Sequence, residues 1–260
     1  MIGKQHIIIP MLGTALLLSA CQDVFEHLYD DPQEEVVQEE GQLYVDASSW
    51  LHWHYVDLQV LTDSISIQGR TLTAVAYDIP LDSVGEGNSG EGAEKSCGIY
   101  TYWYDVFGEG MDKREFRGSY QTLAQPEPER WSFAVHRNNV RTNGGAVYET
   151  SFTSMDDLPE SSEAFREQTF TADTWNETDV WTVSDRMLDG LIGNQGIKAN
   201  PVLSSWLQMM IPPMPPTFML NSHVFILRLK DGTYAALQLE NYMSTSGTKC
   251  CLTINYRYPY

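Results

Sequence analysis

The chain has 260 residues, of which 42% are hydrophobic and 12% aromatic, and its formal net charge is −19. That apolar content is enough for a sizeable core in one large or two small domains. The acidic balance argues against binding nucleic acid or an anionic bilayer through charge.

In chain order, residues 1–20 read as an export signal. Lys4 gives a short basic start, and "HIIIPMLGTALLL" is an apolar run too short to span a bilayer as a stable helix. The run ends in "LSAC", and small residues before Cys21 resemble the bacterial lipobox, in which the cysteine is lipidated and becomes the mature N-terminus. Residues 21–41, with "QDVFEHLYDDPQEEVVQEE", lack apolar periodicity and read as a disordered, self-repelling tether. From residue 42 to residue 260 the pattern is that of strands in one domain.

"LYVDASSWLHWHYVDLQVL" sets aromatic and β-branched residues on either side of a "DASS" turn. Residues 84–96, "VGEGNSGEGAEKS", read as an exposed loop. "RWSFAVHRNNVRTNGGAVYET" alternates through Trp131, Phe133 and Val135, with Asn143-Gly144-Gly145 as a hairpin-type turn. "MDDLPESSEAFRE" reads as an acidic connection. "SDRMLDGLIGNQGIK" offers at best a short helical turn that its glycines break. "VFILRLKDGTYAALQLENY" is the clearest hairpin, because Asp231-Gly232 supplies the positive φ of a tight turn. In the closing "CCLTINYRYPY", Cys250, Leu252, Ile254, Tyr256 and Tyr258 share one face of a half-buried strand. The expected fold is all-β: one domain of antiparallel strands with long functional loops.

Beyond Cys21 the cysteines are Cys97, Cys250 and Cys251. Export to oxidising surroundings makes a bridge from Cys97 to one of the adjacent pair the expected use. Cys250 points to the core side of its strand and Cys251 away, so one of them reaches and one thiol stays odd. No Cys/His spacing suggests zinc.

His52 and His54 share a strand face and could pair on a metal, but Trp50, Trp53 and Tyr55 beside them favour aromatic packing. His136 and His223 read as structural. No G-x-S-x-G elbow or phosphate loop occurs, and carboxylates that are abundant are not thereby paired across a cleft, so the chain does not read as an enzyme. The methionines stand apart. In "WLQMMIPPMPPTF", Met209 and Met210 precede a stiff loop in which Met214 has two prolines on each side. Met187, in "SDRMLDG", sits in a second loop. Thioether sulfur is a soft ligand for Cu(I) or haem iron, and two loops each offering one methionine could grip a haem from both faces.

These segments together resemble the HmuY family of Bacteroidetes haem-binding lipoproteins. The resemblance rests on the lipobox, "YVDASSWLHWHYVDL", "WSFAVHRNNVRTNGGAVYE", "PTF" followed by "VFILRLKDGTYAALQLENY", and "LTINYRYPY", in family order. It implies a single domain of twisted antiparallel strands whose long loops clasp one haem b (heme b, iron protoporphyrin IX). It implies a lipid anchor in the outer membrane, an outward-facing position, host or bacterial haemoproteins as donors, and delivery to a TonB-dependent outer-membrane haem receptor. In the best-known branch two histidines ligate the iron. Here the corresponding position just upstream of "PPMPPTF" reads Met210-Ile211, and no histidine lies between His136 and His223. In other branches methionines replace the histidines. Carried over residue by residue, Met187 takes the first ligand's place, and Met214, Met209 or Met210, in that order, takes the second. Arg186 and Lys198 lie near in sequence for the propionates. Two other readings stay open. A surface adhesin or glycan-binding β module without haem would use the seven tryptophans and fourteen tyrosines. A divergent family member could have lost haem and bind a receptor or host protein only.

Overall fold

Apolar residues at alternate positions and turn residues between them produce antiparallel pairing at every strand junction described. The structure, a computed structural model, describes residues 41–61, 75–78, 99–105, 115–122, 127–176, 178–184, 191–210 and 216–260. They contain strands β1 to β17 in chain order, in four sheets.

The largest sheet runs β1 (Gln42–Asp46), β17 (Lys249–Arg257), β16 (Tyr234–Met243), β15 (Phe225–Arg228), β8 (Ala146–Glu149), β9 (Thr171–Ala172). A second runs β3 (Val75–Asp78), β2 (His52–Val56), β6 (Phe133–His136), β7 (Asn139–Thr142). A third runs β10 (Thr174–Asn176), β12 (Leu191–Ala199), β4 (Ile99–Asp105), β5 (Glu115–Thr122), with β11 (Trp181–Val183) also paired to β12. β13 (Leu207–Met210) and β14 (Thr217–Leu220) form a separate two-stranded ribbon.

The second sheet is the middle layer. Val56, Phe133, Val135 and Val140 pack against Leu43, Val45, Phe225, Leu227, Leu237 and Ile254 of the first sheet. On its opposite face, Trp53, Tyr55 and Ala134 meet Val180 and Ile197 beside the third sheet. That double burial explains why β6 is buried at all four positions instead of alternating.

The β15–β16 hairpin forms as expected. Gly232 holds a φ of 89°, and Asp231 Oδ1 accepts hydrogen bonds from the Thr233 amide and hydroxyl at 2.9 and 2.7 Å. The "DASS" segment does separate two strands, yet these enter different sheets: β1 pairs with β17, and β2 with β3 and β6. Asn143-Gly144-Gly145 does not close a hairpin either. β7 pairs with β6 while β8 pairs with β15 and β9, so this turn carries the chain from one sheet to the next. The need for glycine there is close approach: a Cβ on Gly145 would lie 2.7 Å from the Arg228 carbonyl oxygen. The hairpin turn is instead Arg137-Asn138, between β6 and β7.

Two further expectations change. Residues 191–199 form a nine-residue strand, not a helical turn. Strand pairing on both edges satisfies the backbone there, whereas a helix would carry the full cost of its glycines, about 1 kcal/mol each. The acidic connection after β8 contains two 3-10 turns, Met155–Asp157 and Ser162–Phe165, capped by the hydroxyls of Ser154 and Ser161. Leu158 and Phe165 are buried there against Val224, Ile226 and Ala236, covering the outer face of the largest sheet. The loop expected at residues 84–96 lies outside the described residues.

Candidate functional site

The proline-rich stretch begins and ends on a regular ribbon. Met209 faces Phe218 and Met210 faces Thr217 in the β13–β14 register. Alternation then puts Leu207, Met209, Phe218 and Leu220 on one face and Gln208, Met210, Thr217 and Met219 on the other. The first face turns inward, with Leu207 buried and its companions partly so. The second turns outward, leaving Met210 45% and Met219 51% exposed.

Met209 packs with Trp50 against a small core of Trp181 and Ile192. Trp181 belongs to β11, and Ile192 lies one residue inside β12, so they flank residues 185–190 on either side. Met209 lies two residues before residues 211–215. The two connections singled out by their methionines therefore leave the described structure from one aromatic cluster. Met187, Met214 and Arg186, like Cys21 and Cys97, lie outside the described residues.

A buried amide belongs to the same strand face. Asn194 is the cross-strand partner of Trp181 and lies two residues from Ile192, so alternation aims it to their side. It is 0% exposed, and neither Oδ1 nor Nδ2 has a hydrogen-bond partner. Its neighbour Gln195 faces the middle sheet, where Oε1 accepts from Trp53 Nε1 at 2.8 Å. Nothing in the sequence pattern singled out Asn194. The signal was a polar residue inside a run that is buried on both faces, legible only once residues 191–199 are read as a central strand.

The histidines take other roles. His136 is fully buried; Nε2 donates to the Trp50 carbonyl at 2.9 Å in the neutral tautomer, and the ring lies 5.2 Å from Trp53. Burial, the largest influence, depresses its pKa to about 3. His52 and His54 meet edge to face at 6.3 Å. Among the described residues no group of three His, Cys, Asp or Glu side chains is arranged to hold a metal ion. His223 Nδ1 lies 2.8 Å from Glu149 Oε1. Lys198 is exposed near the end of β12, opposite Trp175.

Cys250 and Cys251 are both buried free thiols, and Cys97, the expected bridge partner, lies outside the described residues. The adjacent pair do not point to opposite environments. Cys250 holds a left-handed φ of 66° within a register shift of β17 against β16. This breaks the alternation, and both sulfurs end up inside. Cys251 Sγ donates to Asp46 Oδ1 at 3.6 Å. Burial raises the pKa of Cys250 to about 11.

The groups around the ribbon fit haem. It is an apolar disc carrying two carboxylates, with an iron that accepts soft axial ligands. Here Trp50, Trp181 and Ile192 lie on the Met209 face of a thioether-bearing strand, and an unpartnered amide lies on the adjoining strand face. A depression of about 490 Å³ elsewhere is lined by Asp57, Arg130, Trp131 and Tyr258, among others, and no methionine lines it.

Comparison with known proteins shows the fold and the family. A protein of Bacteroides vulgatus ATCC 8482, named as HmuY-like and heme binding, is 28% identical over 88% of this chain and 99% of its own, with a TM-score of 0.56. A Bacteroides fragilis NCTC 9343 protein, named as a lipoprotein, is 25% identical over 84% of this chain and 89% of its own, also at 0.56. The apo HmuY analogue of Tannerella forsythia is 18% identical, covers 87% of this chain and 97% of its own at a TM-score of 0.56, and shares the fold. No curated protein matches the sequence. The family described as HmuY protein matches residues 49–256, and the chain belongs to that family.

Proposed function

We propose that this protein binds haem b and holds its iron through methionine sulfur, with Met187 as one axial ligand and Met214 as the other. The observation that carries the reading is the cluster of Trp50, Trp181, Ile192 and Met209, from which both methionine-bearing connections depart. Membership of the HmuY family supports haem binding. Met209 faces the cluster and Met210 faces away, so Met209 ranks next after Met214 and Met210 last. When bound, the iron supplies the redox-active centre and the protein supplies its ligands, an apolar enclosure and the exclusion of water. Burying the macrocycle against aromatic side chains gives most of the affinity. The reading extends to a lipid anchor at Cys21 in the outer membrane, haem taken from host or bacterial haemoproteins, and delivery to a TonB-dependent receptor. The name of the Bacteroides fragilis relative supports the lipoprotein part. Among the described residues no helix is long and apolar enough to cross a membrane.

The glycan-binding alternative gains little from the structure. Sugar stacking needs exposed aromatic faces, and Trp53, Trp131, Trp181 and Trp206 are all buried.

Titration with haemin, followed by visible absorption, tests the proposal. A sharpened and shifted Soret band is expected, with tighter binding of ferrous than ferric haem, because thioether ligation favours the reduced iron. Met187→Ala and Met214→Ala should each weaken binding, and His52→Ala should not. A folded wild-type chain that leaves the haemin spectrum unchanged rejects haem binding. Loss of the band in His52→Ala, with both methionine variants intact, rejects thioether ligation alone.

A further inference from the structure

Arg137 opens the two-residue turn between β6 and β7 at a left-handed φ of 53°. A non-glycine residue rarely holds this conformation, and such strain gathers at functional positions. The side chain is only 7% exposed. Its guanidinium carbon lies 4.3 Å from the centre of the Trp50 ring. One Nη donates to the Ser48 carbonyl at 2.8 Å, and Nε is buried without an acceptor.

What the guanidinium lacks is a counter-ion. Among the described residues the ion pairs are Arg130 with Asp57, Arg141 with Glu127, Arg166 with Glu163, and His223 with Glu149. None involves Arg137, in a chain with 35 acidic residues. The neighbouring Cys250 thiol supplies no charge at neutral pH, since burial raises its pKa to about 11. Burial also pulls the arginine below its ordinary value, but a guanidinium remains protonated in proteins. A buried cation without a partner is unfavourable, and persists where something outside the chain completes it.

Trp50 gives this cation its place. The same indole packs on the Trp181–Ile192 core, as Met209 does, so the guanidinium borders the cluster from which the methionine connections leave. We propose that Arg137, seated on Trp50, binds a carboxylate of the ligand, and on the haem reading above, on which this rests, that carboxylate is a propionate. A guanidinium suits the task because its fork of N–H donors matches a carboxylate in two parallel hydrogen bonds. It would also fix which edge of the macrocycle faces the turn.

A purely structural Arg137 would pin residues 46–51 through Ser48 and Trp50. The two roles separate in a cycle that removes the charge from each side. Haemin and its dimethyl ester, in which both propionates are blocked, are titrated into the wild type, Arg137→Leu and Arg137→Lys, with the apo fold of each checked by circular dichroism and melting. Arg137→Leu should weaken haemin binding about 10- to 100-fold, as expected for a lost charge-assisted bond. Esterification should weaken the wild type by a similar factor and Arg137→Leu hardly at all. Lysine should recover part of the loss. Equal affinity of the wild type for haemin and ester overturns the proposal without any variant, and so does an ester penalty of the same size in wild type and Arg137→Leu. If the folded wild type does not change the haemin spectrum, the haem reading falls and this proposal with it. Binding by the wild type with additive losses overturns the proposal alone.

Discussion

The two faces of the middle sheet are buried in different ways. Toward the largest sheet, Val56, Phe133, Val135 and Val140 meet aliphatic and aromatic partners and are at most 3% exposed. Toward the third sheet, Trp53 and Ala134 share their layer with His136, Arg141 and Gln195, and His136 Nδ1, Arg141 Nη1 and Gln195 Nε2 have no hydrogen-bond partner. Asn194, on the far face of β12, continues the pattern. The first interface is mainly apolar, with His54 Nε2 and Trp206 Nε1 as its unpartnered polar atoms. The second retains polar groups that a core designed only for stability would replace. Departures of this kind concentrate at functional positions, and here they lie beside the aromatic cluster that borders the methionine ribbon.

The comparison breaks most visibly on the apolar side. Phe225 is 0% exposed at the centre of that interface, so Phe225→Ala leaves a large cavity and should cost about 3–5 kcal/mol. Urea unfolding of the apo protein would show it as a lower midpoint at unchanged slope. A loss below about 1 kcal/mol would mean that this interface does not dominate the fold.

The polar side should declare itself through pH. His136 is held neutral, with a folded pKa of about 3 against an ordinary value near 6.5, first because of burial. The unfolded chain therefore takes up a proton before the native one does. Stability is full above about pH 6.5 and falls as the pH drops toward about 3, by up to about 1.4 kcal/mol per pH unit. His54 is lowered by burial too and adds in the same direction. His136→Gln keeps a donor for the Trp50 carbonyl and should flatten this acid limb. Haem retention should stay level from pH 5 to pH 8 in the same protein, because a thioether gains no proton. A haem affinity that tracks the stability slope would instead point to a histidine ligand.

How much of this was legible in the sequence follows the same division. The β15–β16 hairpin and the alternating β17 could be read because one face is apolar and the turn residues are explicit. Failures came where an element is buried on both faces, as in β12, whose glycines resembled a broken helix. They also came where a turn hands the chain to another sheet, as at Asn143-Gly144-Gly145: local sequence gives the turn, but partner choice is tertiary. The bulge at Cys250 inverted one face for the same reason. Of the proposed site, the soft ligands rest on spacing and family resemblance alone, since Met187 and Met214 lie outside the described residues. Arg137 and Asn194 could not be read from the sequence, since what distinguishes them is a missing partner, and a missing partner becomes visible only in three dimensions.

The smallest expected effect tests that last point most directly. Asn194 buries both ends of its amide without a hydrogen bond, and each such group costs about 1–3 kcal/mol relative to an apolar replacement of the same shape. Leucine is close to that shape. Asn194→Leu should therefore leave the apo protein as stable as the wild type or more stable by about 1 kcal/mol, unlike almost any other substitution of a fully buried residue. If the amide is kept for the ligand, the same variant should bind haemin several-fold more weakly, so stability and affinity move in opposite directions. Thermal melting and haemin titration on one preparation give both numbers. Destabilisation by about 2 kcal/mol with unchanged haemin affinity would show that a buried water already satisfies the amide. The contrast between the two interfaces would then be one of composition rather than of unsatisfied groups.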